Sequence, residues 1–483
     1  MTTIETTPMT IGGRAYLAAD GATIDTINPA TSEVIGRLPA ASKVDVDHAV
    51  EAASRAFETW RRYTPQARAA ALNAYADVIA AHADELVDLD VAENGTPIRE
   101  MRRDGQKAVN QLRYYANIIL EARGQTISGE FDRLNYTIQQ PYGVVGRIIP
   151  FNHPLMFAAS KIAAPLAAGN TILLKPSENT SLSALRLGEL SRGVLPDGVL
   201  NVITGYGADA GDAIVRHPAI RRLAFIGSAA TGRAIQAAAA SVNVKNVSLE
   251  LGGKNPLVIF PDADLDNAVR ASIRGMNFTW QGQSCGSTSR LLIHRDLYAP
   301  FLDRLAAGLE GLTSGLPALE ESQIGSIISP EQFEKVKGYI ALGKDEGGRL
   351  LSGGNVLTDG DFAAGMFVRP TVFADVNPGS RLAREEIFGP VLAAMPFDSY
   401  DDAITIANSV GYGLTASVFT QDLGTAHSFA RDVEAGYVWV NEVSRHVEGT
   451  AFGGVKDSGI GRDEGIEELY SYSQSKNVHV NFS

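Results

Sequence analysis

Apolar positions early in the chain recur at helical spacing, at Val46, Val50, Ala53 and Phe57. A tail and then a turn at Asn28-Pro29-Ala30-Thr31 precede them. Thr64-Pro65 opens a second helix, with threonine as N-cap and proline in the first helical position; it runs through Ala69, Leu72, Tyr75 and Ile79 towards a stop at Asn94-Gly95. A third helix is predicted over Arg99 to Glu121. From Val144 the pattern changes to short apolar runs alternating with helical stretches. Strands are predicted at Val144–Ile149, Thr171–Lys175, Leu200–Ile203, Leu223–Ile226 and Val247–Leu251, with helices near Leu155–Ala167, Ser181–Gly193, Asp209–Arg216 and Thr231–Ala240 between them. Such alternation implies a parallel sheet covered on both faces, with ligands at the strand carboxyl ends. A second alternating series has strands near Leu257–Ile259, Arg290–Ile293, Val391–Met395, Ser417–Thr420 and Tyr437–Val440. The expected class is α/β with two such units.

Two segments fit neither sheet. Gly124 to Gln140, with Thr126-Ile127-Ser128-Gly129 and Asn135-Tyr136-Thr137-Ile138, reads as an extended hairpin, and Tyr472–Val480 is strand-like. Exposed strand edges call for a partner, so these arms are expected to pair between subunits.

Composition narrows the function. The 483 residues exceed one simple core, and 45% hydrophobic with 20% charged residues is ordinary for a globular enzyme. A net charge of −13 argues against a nucleic-acid or anionic-membrane surface. Met1 to Thr10 lacks the basic and apolar runs of a secretory signal, and no apolar stretch is long enough to span a membrane. With a single thiol, this points to the cytoplasm.

That thiol, Cys285, is the only cysteine, so an internal disulfide is excluded and no metal site is predicted. A solitary cysteine is usually a small buried hydrophobe. Here Gln281-Gly282-Gln283-Ser284 before it and Gly286 after it leave room for a carbonyl substrate. Nearby N–H groups can favour a thiolate. Glu250, flanked by Val247-Ser248-Leu249 and Leu251-Gly252-Gly253, is expected to be partly buried, which lifts a carboxylate towards the range of a useful base. A nucleophile and a separate carboxylate are the minimum for making and hydrolysing a thioester.

Seven segments in order carry a family resemblance: Pro150-Phe151-Asn152-His153-Pro154, Lys175-Pro176-Ser177-Glu178, Phe225-Ile226-Gly227-Ser228, Leu249-Glu250-Leu251-Gly252-Gly253-Lys254, Gly282-Gln283-Ser284-Cys285, Glu385-Glu386-Ile387-Phe388-Gly389-Pro390 and Phe452-Gly453-Gly454. On these the chain resembles the aldehyde dehydrogenase superfamily after its tail. The resemblance implies NAD(P)-linked oxidation of an aldehyde to a carboxylic acid. It implies a Rossmann-type cofactor domain at 11–123 and 142–251 with part of 450–466, a catalytic domain at 252–449, and a β-arm for oligomerisation at 124–141 and 467–483. Cys285 would attack the aldehyde, Asn152 and the Cys285 N–H would hold the oxyanion, and Glu250 would activate water; Lys175 is counted with this catalytic set and with the cofactor. Ile148, Pro150, Phe151, Ser177, Glu178, Gly227, Ser228, Leu251, Gly252, Gln332, Glu386 and Phe388 complete the cofactor set. Glu178 would accept bonds from free ribose hydroxyls and repel a 2′-phosphate, favouring NAD over NADP, while Lys175 offsets part of that repulsion. A homodimer or homotetramer is expected.

By the same resemblance the substrate tunnel would be lined by Arg103, Lys107, His153, Phe157, Thr279, Trp280, Arg445 and His446. Their polarity suggests a polar or carboxylated aldehyde, or an aromatic one; the competing reading has the long side chains reaching to the mouth and leaving an apolar path. Where the family commonly has Gly-Arg-Glu, this chain has Gly461-Arg462-Asp463-Glu464, which leaves the roles of both acids open. Two alternatives remain: resolution of the thioester by coenzyme A, which the presence of Glu250 disfavours, and a non-catalytic binding protein on the same fold.

Overall fold

The structure is a computed structural model and describes residues 5–127 and 129–483. Five parallel strands form the heart of an eight-stranded sheet, in the spatial order Leu200–Val202, Thr171–Lys175, Val144–Ile148, Arg222–Gly227 and Asn246–Leu251. From Val144–Ile148 the chain first adds strands on one side and then on the other. The strand order therefore reverses between Val144–Ile148 and Arg222–Gly227, which opens a crevice at their carboxyl ends.

Only four residues, Gly252 to Asn255, separate the last of these strands from Pro256–Ile259, the first strand of a seven-stranded sheet. Here Pro256–Ile259, Arg290–His294, Val391–Phe397, Thr415–Phe419 and Tyr437–Val440 run parallel. Side-chain alternation assigns the two faces of this sheet to separate cores. Val258, Leu292, Met395 and Val418 pack on one face, and Leu257, Ile259, Leu291, Ile293 and Ala394 on the other.

Several expectations change. The segment read as a tail contains a hairpin: Met9–Ile11 pairs with Arg14–Tyr16, and Thr10 bridges to Val202. Gly12 and Gly13, both at positive φ, make its turn, and Met9 is fully buried. Met1–Ile4 lie outside the described residues. The long second helix is two helices, Pro65–Ala81 and Ala83–Asn94, broken at His82; Thr64 Oγ1 caps the first by accepting from the Ala67 N–H at 3.2 Å. The two arm segments pair with each other within one chain. Arg133–Pro141 and Ser473–Asn481 run antiparallel from Arg133↔Asn481 to Pro141↔Ser473, with Thr126–Ile127 on the far edge. Ser473–Asn481 is an outer strand of this three-stranded sheet and keeps one edge without a strand among the described residues, the edge that pairing between subunits would use; Ser128, within the predicted hairpin, lies outside the described residues.

Candidate active site

The loop carrying Cys285 follows a short helical turn at Phe278–Trp280, and residues on both sides of that turn, Asn277 and Gln281, hold left-handed backbone angles. Gly282 has φ +67°, and a Cβ there would lie 2.2 Å from the Gly389 carbonyl oxygen, so only glycine lets this loop pass. Buried amides pin the loop from outside. Asn255 Nδ2 donates to the carbonyls of Cys285 (2.7 Å) and Ser287 (2.9 Å), and the Ile328 N–H donates to Gln283 Oε1 at 3.1 Å. Among the described residues the Cys285 N–H has no acceptor within the protein.

Glu250 sits one residue from the end of its strand, paired with Ile226 on one side and Gly459 on the other. It is 8% exposed, and its Oε1 has no hydrogen-bond partner. Burial pushes its carboxyl up to about 8, opposed by a hydrogen bond with Cys285 and by the charge of Lys161. Burial and the facing Glu250 in turn push the Cys285 thiol well above its ordinary value. Two acids this close resist simultaneous ionisation, so the pair favours one proton-exchanging partner at a time. Asn152, just before the cavity-lining His153, is 3% exposed, with Oδ1 buried and unpaired. Its Nδ2 makes no hydrogen bond among the described residues and is not among the enclosed, unpaired atoms, which leaves it available to a ligand.

The two acids of the departing motif separate. Asp463 is committed to ion pairs with Lys161 at 2.9 Å and Arg147 at 3.0 Å. These cations hold its carboxyl well below the usual range despite burial. Glu464, held at φ +66°, faces the cavity and meets His446 Nδ1 at 2.8 Å.

Cys285 and Glu250 line one cavity of about 480 Å³. Of the tunnel candidates, Arg103, Lys107, His153, Phe157, Thr279, Trp280 and His446 line it. Arg445 does not: it is exposed and borders a separate depression with Glu442 and Val447, while its carbonyl accepts from Trp439 Nε1 at 2.7 Å. Arg445 thus faces out where its neighbour His446 lines the cavity. At the rim, Arg103 pairs with Glu100 at 2.7 Å and Arg274 with Glu442. Asp104, Lys161, Arg270 and Trp439, which no sequence motif singles out, also line the cavity, as does Phe452 of the Phe452-Gly453-Gly454 segment.

The cofactor candidates gather at the carboxyl ends of the first sheet. Ile148, Lys175, Gly227 and Leu251 end or nearly end four adjacent parallel strands. Ser228 caps the helix Ala229–Ala240, accepting from the Thr231 N–H at 3.2 Å, and the first turn holds no acidic residue. The remaining free N–H groups of that turn fit an anionic pyrophosphate. Gly232 lets the helix approach the neighbouring strand, since a Cβ there would lie 2.8 Å from the Leu251 side chain. Lys175 does not line the thiol cavity; its Nζ donates to the Pro176 carbonyl at 3.0 Å and lies 3.7 Å from Glu178, which places it with the cofactor set rather than the thiol. Beside Pro150, Phe151 packs edge-on against Phe388 at 5.7 Å. Ser177 turns inward to accept from the Asn179 N–H at 3.3 Å. Glu386 Oε1 accepts from the Gly253 N–H at 2.9 Å, and a Cβ on Gly252 would collide with its carboxylate at 2.0 Å. Gln332 Nε2 donates to the Ile387 and Phe388 carbonyls at 2.9 and 2.7 Å, so its amide nitrogen holds the loop and leaves only Oε1 for a ligand.

A two-sheet α/β protein with a thiol facing a carboxylate at the sheet junction, and an anion-binding helix start at a switch point, defines a cofactor-linked enzyme class. The sequence profile of the Aldehyde dehydrogenase family matches residues 16–478. The aldehyde dehydrogenase tropH of Talaromyces stipitatus is 45% identical over 464 residues, covering 95% of this chain and 90% of that protein. The aldehyde dehydrogenase [NAD(P)+] 2 of Saccharomyces cerevisiae is 39% identical over 474 residues, covering 96% and 93%. The NAD+ complex structure of aldehyde dehydrogenase from Bacillus cereus superposes with a TM-score of 0.96 at 40% identity, covering 99% of this chain and 97% of that one. The chain belongs to the aldehyde dehydrogenase family and is an oxidoreductase acting on aldehydes.

Proposed function

We propose that this enzyme oxidises a polar, ring-sized aldehyde to its carboxylic acid through a thioester on Cys285 that water resolves. The observation that carries this reading is the buried Glu250 carboxyl, with Oε1 unpaired, facing Cys285 within one cavity. Cys285 passes its proton to the facing Glu250 carboxylate, which releases it to solvent, as the sulfur adds to the aldehyde carbon, and the Asn152 amide with the Cys285 N–H holds the oxygen that becomes negative. NAD or NADP, when bound, supplies the two-electron acceptor that converts the thiohemiacetal to a thioester. Glu250 then takes a proton from the water that attacks the thioester, and the C–S bond breaks. Lys161, held between Asp463 and Glu468, keeps a positive charge near this carboxyl.

The cofactor edge supports NAD or NADP: the acid-free start of the helix Ala229–Ala240 suits the pyrophosphate, and Lys175 with Glu178 suits a ribose. The Glu178 carboxylate favours the unphosphorylated ribose of NAD. A ring-sized substrate suits the cavity volume and its walls of Phe157, Trp280, Trp439 and Phe452. The deciding experiment is Glu250→Gln, mixed with aldehyde and NAD and examined by intact mass. The acyl group accumulates on Cys285 while turnover falls by about 10²-fold or more. Clearance of the adduct at the wild-type rate would remove Glu250 from the reaction, and clearance only with coenzyme A would make that thiol the acceptor.

A further inference from the structure

The cavity beside Cys285 holds two histidine–carboxylate pairs that thioester chemistry does not use. His153 Nδ1 lies 2.6 Å from Asp104 Oδ2, with the two side chains 14% and 4% exposed. His446 Nδ1 lies 2.8 Å from Glu464 Oε2, with the side chains 23% and 18% exposed. The pairs come from different parts of the fold. Asp104 lies on the helix Ile98–Ile118 and His153 directly precedes the helix Pro154–Ala167, whereas His446 and Glu464 belong to the C-terminal loops that close over the sheet junction.

Aromatic neighbours hold both imidazoles. The His153 ring packs against Phe157 at 5.4 Å and Trp280 at 5.5 Å. The His446 ring stacks on Tyr437 with planes 19° apart and lies 4.7 Å from Phe452. A ring whose Nδ1 is bonded and whose plane is fixed has one free polar atom, Nε2. Among the described residues neither Nε2 has a hydrogen-bond partner, and neither is an enclosed, unpaired atom, so each is reachable.

We infer that these two imidazoles read hydroxyl groups on the substrate, and that the substrate is a hydroxylated aromatic aldehyde with its ring between Phe157, Trp280 and Phe452. The inference rests on the aldehyde oxidation at Cys285 proposed above and adds its substrate class. A carboxylate on Nδ1 keeps the ring proton on that side and presents a lone pair on Nε2. A hydroxyl donates to that lone pair, and it can also accept from Nε2–H when the imidazole is charged. An unsubstituted ring would cover both nitrogens without giving either a partner, which a site built around them resists. A carboxylated ring would bring its charge towards Asp104 and Glu464. The cations free to meet it, Lys107 and Arg270, are exposed at the rim, and neither has a carboxylate partner among the described residues.

The test compares kcat/KM for benzaldehyde, the three monohydroxybenzaldehydes and 4-formylbenzoate, followed by reduced-cofactor absorbance with the full chain. The best hydroxylated isomer exceeds both benzaldehyde and 4-formylbenzoate by about tenfold or more. His153→Phe and His446→Phe each bring the ratio of hydroxylated to plain benzaldehyde towards one for the isomer they contact. Asp104→Asn and Glu464→Gln, which preserve shape, lower that ratio partway. Melting temperature verifies that each variant is folded, and iodoacetamide labelling under native conditions reports that Cys285 remains reachable. A wild-type ratio near one, a ratio unchanged in all four variants, or a preference for 4-formylbenzoate would each overturn the inference while leaving aldehyde oxidation in place. A folded wild type that oxidises none of these aldehydes but does oxidise an aliphatic aldehyde would overturn the inference and the ring-sized substrate alone, and one that oxidises no aldehyde would overturn the reaction at Cys285 as well.

Discussion

The cofactor edge and the substrate cavity meet at Gly252–Asn255 but are built by different means. The edge is made of backbone: strand ends, the first turn of the helix Ala229–Ala240, and glycines such as Gly232 and Gly252 where neighbours approach closely. The cavity is made of side chains brought together from distant segments, with Asp104 meeting His153 across 49 positions and Cys285 meeting Glu250 through the fold. Backbone geometry repeats wherever strand order reverses, and it suits one kind of ligand. Side-chain constellations can be rewritten without disturbing the sheet, so they are where a family's members differ.

This contrast breaks most sharply at the thiol. Cys285→Ala removes reduced-cofactor formation by about 10⁴-fold or more, while NAD affinity by fluorescence titration stays within a few-fold. A comparable loss of cofactor binding would mean that the two regions act as one. Next comes the pH profile. Glu250 must be ionised to take a proton from water, and its carboxyl is raised to about 8, so turnover rises as pH passes through that value. A raised carboxyl holds its proton more tightly folded than unfolded, so its contribution to stability is present at lower pH and is lost as pH rises through about 8. Glu250→Gln removes that dependence; an unchanged rising limb would assign it to another group.

On the cofactor side, Ser228→Asp places a charge where the pyrophosphate would lie and raises the NAD dissociation constant by about tenfold, with a smaller effect on the rate of saturated enzyme. An equal fall in both would mean that the helix start also shapes the thiol site. Gly282→Ala costs about 2 kcal/mol of stability, read by thermal melting, because the left-handed backbone and the Gly389 carbonyl leave no room for a methyl group. The smallest effect is the control. Thr64→Ala, on a helix cap away from both regions, costs about 1 kcal/mol and leaves affinity and turnover unchanged.

Sequence alone fixed a good deal here. The alternation of apolar runs and helical stretches located the five parallel strands of the first sheet and five of the seven strands of the second to within a residue or two, because buried parallel strands need continuous apolar residues, while Arg349–Ser352, Thr371–Ala374 and Gly459–Ile460 went unread. It also pointed to Cys285 and Glu250, since their flanking small residues are local features of the chain. The N-terminal hairpin was missed although Gly12-Gly13 signals it, because strands of three residues carry almost no periodicity. What the tertiary structure decided was orientation and partnership. It turned Arg445 out and His446 in, committed Asp463 to Lys161 and Arg147 while giving Glu464 to His446, and paired the two arms within one chain. A loop's side-chain directions and an acid's choice among cations depend on long-range packing and local dielectric, and neither is a property of neighbouring letters in the chain.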